Sequence, residues 1–140
     1  MSEEQAQQLL YQMQMLESYA VNLEQKEEAI MTFLREAVSS VDSIRGIKQN
    51  EKLESLIPVG LGTYVKAEIS GTSKVLLDVG AGIAVEKDHD SAVNYLESRI
   101  KELQVAINET VTQKRDVLMR LEQLKQEMNR LIQSENPPPQ

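Results

Sequence analysis

Leu56-Ile57-Pro58-Val59-Gly60-Leu61-Gly62-Thr63-Tyr64-Val65-Lys66-Ala67-Glu68-Ile69, followed by Lys74-Val75-Leu76-Leu77-Asp78-Val79-Gly80-Ala81-Gly82-Ile83-Ala84-Val85-Glu86-Lys87, decides how this chain is read, because here the apolar period is two. Val65, Ala67 and Ile69 fall on one side of an extended segment, with Tyr64, Lys66 and Glu68 on the other. Likewise Val75, Leu77 and Val79 oppose Lys74, Leu76 and Asp78, and Ile83 and Val85 oppose Ala84 and Glu86. These are half-buried strands. Gly60-Leu61-Gly62 and Gly80-Ala81-Gly82 separate the runs, and Gly60, Gly62, Gly80 and Gly82 can take the positive φ that tight turns require. The stretch predicts two hairpins in series, linked through Ser70-Gly71-Thr72-Ser73.

On both sides of the hairpins the apolar period is seven. Leu9, Leu16, Leu23, Ile30, Ala37 and Ile44 recur as d positions, with Met13, Ala20, Leu34 and Val41 as most of the a positions, and only Glu27 interrupts the seam. Val93, Ile100, Ile107, Leu121 and Met128 alternate with Leu96, Leu103, Val117, Leu124 and Leu131 in the second segment, where Thr110 and Lys114 are the polar exceptions. Such repeats specify a left-handed coiled coil. Residues 9–44 and 93–131 would form rods each roughly 55 Å long, and their matched lengths make an antiparallel hairpin the economical pairing.

The fold class is therefore mainly α with a small β region: a long antiparallel two-helix coiled coil joined by two β hairpins. The first helix is expected from about Glu3 to about Ser55, stopped by Pro58, with Gly46 inside it on the solvent face. Beyond Ile44 the register fades, since Lys48, Glu51 and Ser55 take the next seam positions. The second helix should begin near Asp88 to Ser91, residues suited to a helix N-terminus, and end before Asn136-Pro137-Pro138-Pro139. This gives one domain over 1–140: a helix over 1–55, hairpins over 56–87, a helix over 88–135 and a disordered tail over 136–140.

Composition narrows the function. Aromatic residues make up 4%, Phe33 is the one phenylalanine and tryptophan is absent, which suits a coiled coil better than a pocket-bearing enzyme domain. The absence of cysteine rules out disulfides and thiolate metal sites. The polar, acidic Met1-Ser2-Glu3-Glu4-Gln5 is unlike a signal peptide and no apolar run reaches membrane-spanning length, so a cytoplasmic protein is expected. The net charge is −7, and neither helix presents the basic stripe that phosphate-driven nucleic-acid binding needs. Most charges lie outside the seam and read as solvated faces.

No chemistry stands out. Neither Gly-x-Gly leads into a helix and no Gly-Lys-Ser/Thr follows one, so a phosphate cradle is not indicated. His89, between Asp88 and Asp90, lacks companion ligands and reads as a helix start, not a metal site. No nucleophile has a plausible base, so no enzyme, metal or cofactor is expected. Two surfaces do ask for partners. Two short hairpins have little of their own chain to pack on, so Val65, Ala67, Ile69, Val75, Leu77, Val79, Ile83 and Val85 are assigned to oligomerisation. Near the chain ends, Leu10, Tyr11, Met15 and Tyr19 on one side and Leu118, Met119 and Ile132 on the other add apolar surface outside the seam. In an antiparallel hairpin these converge on one tip, and exposed apolar patches mark binding sites.

The two glycine-punctuated segments, with a proline ahead of the first Gly-x-Gly, a Tyr-Val-x-Ala strand and Val-Gly-Ala-Gly in the second hairpin, closely resemble the α class of prefoldin subunits. Size and the simple two-helix layout are similar to the archaeal α subunits, with eukaryotic α-class subunits as near alternatives. The resemblance implies a hexamer of two α and four β subunits, assembled through β hairpins into a double barrel from which coiled-coil arms hang. It also implies an ATP-independent holdase that grips unfolded proteins at the arm tips and passes them to a group II chaperonin. Two hairpins mark the α class. The location of the client site comes with the resemblance, and this chain supplies its residues: Leu9, Leu10, Tyr11, Met13, Met15, Leu16, Leu121, Leu124, Met128, Leu131 and Ile132. A structural tether or scaffold subunit is the competing reading, and it would have no use for apolar extras at the tip.

Overall fold

The computed structural model describes residues 3–47, 51–71 and 74–135. A 44-residue helix α1 (Glu3–Gly46) leads into strands β1 (Lys52–Gly60), β2 (Thr63–Ser70), β3 (Val75–Asp78) and β4 (Ala84–Lys87), and a 47-residue helix α2 (His89–Glu135) follows. Two long helices with two antiparallel hairpins between them is the architecture expected. The proline tail assigned to disorder, 136–140, and Thr72-Ser73 of the hairpin link lie outside the described residues.

The chain divides into two compact units, one of Met1–Phe33 with Leu103–Gln140 and one of Leu34–Glu102. In the first, Leu23, Val117 and Leu121 form a buried cluster with Met13, Leu16 and Ala20 packed against it. Every a and d position named from sequence is buried or partly buried, from Leu9 to Ile44 and from Val93 to Leu131. The two charged interruptions of the seam meet each other, Lys114 Nζ donating to Glu27 Oε2 at 3.1 Å; with the earlier Leu23 packed on the later Val117 and Leu121, the helices of this unit run antiparallel. That hydrogen bond raises the Lys114 pKa above its ordinary value. The remaining polar seam residue, Thr110, is 1% exposed and satisfies its hydroxyl on the Ala106 carbonyl at 2.8 Å. In the second unit, Val41, Leu77, Ala92 and Val93 are buried, and Arg45 of α1 reaches Glu97 of α2 at 2.6 Å.

The end of α1 differs from expectation. Instead of continuing to about Ser55, the helix stops at Gly46, and Lys52–Ser55 already belong to β1. Past Ile44 a helix would present polar residues to the seam and bury nothing, and Gly46 weakens it further. As a strand, the same residues alternate and pair with β2, from Lys52 opposite Ser70 to Pro58 opposite Tyr64. Pro58 is tolerated there because the register shifts between it and Gly60. At the other end of the hairpins, Asp88 caps α2: its Oδ1 accepts the Ser91 N–H at 2.7 Å, and its carbonyl accepts the Ala92 N–H at 2.9 Å.

Candidate functional site

The cross-strand register divides the first hairpin into two unlike faces. Leu53 opposes Ile69, Ser55 opposes Ala67 and Ile57 opposes Val65, so one face is almost wholly apolar. The other carries Glu54 opposite Glu68, a like-charge pair relieved by Lys66 at 3.6 Å from Glu54 and Lys52 at 3.9 Å from Glu68. On this face the charges pair with one another, while Leu56 and Tyr64, which share it, are exposed. The apolar face is open: Leu53, Ile57 and Val65 are exposed, and Ala67 and Ile69 are only partly covered. In the second hairpin Leu77, opposite Val85, is buried and Val75 partly so, while Val79, Ile83 and Val85 are exposed.

Both turns place two successive residues at positive φ, Leu61 (44°) and Gly62 (74°) in the first, Ala81 (53°) and Gly82 (74°) in the second. This is the type I′ hairpin turn, in which glycine is strongly favoured. Gly60 and Gly80 precede these pairs at φ 115° and 100°, so all four glycines assigned to turns stand in conformations that side chains disfavour. Both glycine pairs lie within hairpins and open no helix.

At the ends of the helices, residues 5–12 of α1 lie beside residues 120–131 of α2. Leu10, Tyr11, Met15 and Ile132 are exposed there, Tyr11 to 63%. Leu9, Met13, Leu16, Met128 and Leu131 are partly buried in the seam. Leu121 and Leu124, expected among the client contacts, are 5% and 1% exposed. Their a/d positions account for that burial, which places them in the seam and not on the exposed flank. Leu118 and Met119 are exposed and, with Val111 and the Glu27–Lys114 pair, line a groove of about 400 Å³. Among the described residues no helix is long and apolar enough to cross a membrane.

Residues 3–134 match the family model described as Prefoldin subunit. The chain belongs to the prefoldin family. It is 50% identical over 134 residues to "Prefoldin subunit alpha" of Nitrosopumilus maritimus, a match covering 96% of this chain and 92% of that one. "Prefoldin subunit alpha 1" of Thermococcus kodakarensis is 37% identical over 67% of this chain and 65% of its own length. Among solved structures, the prefoldin beta subunit from Thermococcus strain KS-1 superposes with a TM-score of 0.64 at 22% identity, covering 96% of this chain and 95% of that one. Filamentous PFD from Methanocaldococcus jannaschii gives 0.54 at 23% identity, over 90% and 99%. These likenesses establish the fold, and the archaeal α subunits carry the resemblance stated from the hairpin motifs.

Two features of the prefoldin hairpins escaped the sequence reading. Leu53 and Ile57 share the open face with Val65, yet Leu53 was assigned to a helix. The signal was present in the alternation Leu53, Ser55, Ile57, Val59 against Lys52, Glu54, Leu56, Pro58.

Proposed function

We propose that this chain is the α-class subunit of an ATP-independent prefoldin holdase of the cytoplasm, a chaperone component without catalytic activity. It assembles with β-class subunits as two α and four β chains, through the open apolar face of its hairpins and Val75, Val79, Ile83 and Val85 beside it. Unfolded proteins are captured on Leu10, Tyr11, Met15 and Ile132, flanked by the partly buried Leu9, Met13, Leu16, Met128 and Leu131, and are delivered to a group II chaperonin. The observation that carries the client reading is the exposure of Leu10, Tyr11 and Met15 on the helix face outside the seam, in a chain of the prefoldin family.

Each contact is weak, since fully burying one such side chain contributes about 1.5–3 kcal/mol and a mobile client buries it partly. Affinity then comes from several arms acting together, each raising the effective concentration of the next. The test is suppression of aggregation of a denatured client by the assembled complex carrying Leu10→Ser, Tyr11→Ser and Met15→Ser. These changes spare the seam, so the complex should retain its mass, while several-fold more of it should be needed for equal protection, with or without ATP. Equal protection at the same molar ratio would sink the client reading and favour a scaffold.

A further inference from the structure

We propose that Leu61 is a fixed apolar anchor by which this chain docks into the β region of a neighbouring β-class subunit, an inference that rests on the assembly reading above. Leu61 stands at the first central position of a type I′ turn with φ 44°, where asparagine, aspartate or glycine is at ease and a branched apolar side chain is not. Its side chain is also fully exposed, at 104%. Backbone strain and apolar exposure thus coincide on one residue, and among the described residues none covers it. A polar residue would relieve both.

The turn itself does not require leucine. In the second hairpin the same position is Ala81, at φ 53° and with the same glycines on either side, so a small side chain closes an equivalent turn. The first turn is closed firmly: Gly60 pairs with Thr63, and the Thr63 hydroxyl donates to the Gly60 carbonyl. A side chain held on a fixed backbone loses little freedom on docking, which suits a preformed apolar pocket in a folded neighbour better than client chains of varied sequence. Leu61 also continues the surface assigned to assembly. Val59, at the register shift, is exposed beside it, and Ile57 and Val65 follow along the open face. Strain and exposure confined to such a position point to a contact completed by another subunit.

The test compares Leu61→Asn, Leu61→Met and, as a control on the open face, Val65→Asp in the full chain. Complex formation with a β-class subunit is followed by sedimentation, and the chain's own thermal midpoint by circular dichroism. Leu61→Asn should weaken the complex by roughly 10- to 100-fold, the range expected for one buried leucine, while leaving the midpoint unchanged or raising it. Leu61→Met, still apolar, should restore most of the affinity. Unaltered assembly of Leu61→Asn, a midpoint that falls together with affinity, or self-association of the chain alone that tracks Leu61 would each overturn the anchor. If Val65→Asp breaks the complex and Leu61→Asn does not, only the anchor fails; if neither does, the assembly reading itself fails.

Discussion

The coiled coil and the hairpins follow the same apolar logic and come to opposite ends. Along the helices every apolar seam position is buried or partly buried, and even the interrupting charges Glu27 and Lys114 pair with each other. Along the first hairpin the apolar face is as regular as the seam, yet Leu53, Ile57 and Val65 lie open to solvent while the charged face pairs its own residues. A helix pair is closed by one antiparallel return of its own chain, whereas a two-stranded sheet has a second face and two free edges. The helices cover their seam within this chain, whereas the first hairpin leaves Leu53, Ile57 and Val65 exposed.

The largest expected effect breaks that contrast at the sheet. Leu53→Asp, Ile57→Asp and Val65→Asp together put three charges on the open face, and each also forfeits apolar burial worth about 1.5–3 kcal/mol. Association with β-class subunits should weaken by more than about 1,000-fold, with helical circular dichroism retained. Sedimentation decides it: a complex of full mass would show that assembly uses other residues. Leu77 is left out because it is already buried within the chain, where a charge would damage the hairpin itself.

A smaller effect sharpens the contrast along the coil. Leu124→Ala removes a side chain 1% exposed in the seam and should destabilise the arm by about 2–5 kcal/mol, whereas Leu118→Ala, on the exposed flank, should fall within about 0.5 kcal/mol of the parent. Chemical denaturation of the two variants measures the difference. Similar losses at both sites would mean that the flank, too, is core.

This pair also shows what could be read from residues alone. The heptad is a local pattern enforced by a single partner, so the seam was legible position by position, and the turn glycines were legible because positive φ leaves few alternatives. The start of β1 was not, because Lys52–Ser55 become a strand only through pairing with Ala67–Ser70, a choice made by a distant segment. At the tip, counting apolar residues near the chain ends did not separate exposed side chains from those of the seam. Leu121 and Leu124 already had an occupation in the heptad, and the heptad was the better guide.

Next in size is the charged layer of the seam. Lys114→Met leaves Glu27 partly buried without its partner and should lower the thermal midpoint, while adding Glu27→Leu should recover it or exceed the parent. Because Lys114 has a raised pKa, its pair contributes fully below the ordinary lysine value and is lost only as pH rises through the raised one. The parent midpoint should therefore drop in strong alkali more than that of the double variant. Identical alkaline profiles would mean the pair contributes nothing to the arm.

The smallest effect lies at Asp88, the joint between the hairpins and α2. The Ser91 backbone N–H bound to its carboxylate holds the pKa below the ordinary carboxylate range, so the ionised form is the better cap. With the folded pKa lowered, the stabilisation is present above the unfolded value and is lost as pH falls through the folded one, a window that opens below about pH 4. Asp88→Asn keeps an oxygen to accept the Ser91 N–H but removes the titration. Asp88→Ala removes the cap altogether and should lower the midpoint by a few degrees at neutral pH. Between pH 5 and the acid window the parent and Asp88→Asn should run parallel, then converge as the parent carboxylate protonates. Hydrogen exchange at Ser91 and Ala92 locates the change: protection should fall there in Asp88→Ala while amides in the Leu23–Val117–Leu121 cluster keep theirs, since the cap serves only the first turn. Loss of protection at both places would join the hairpin root and the coil into one cooperative element, and the contrast between a covered seam and an open sheet face would have to be drawn elsewhere.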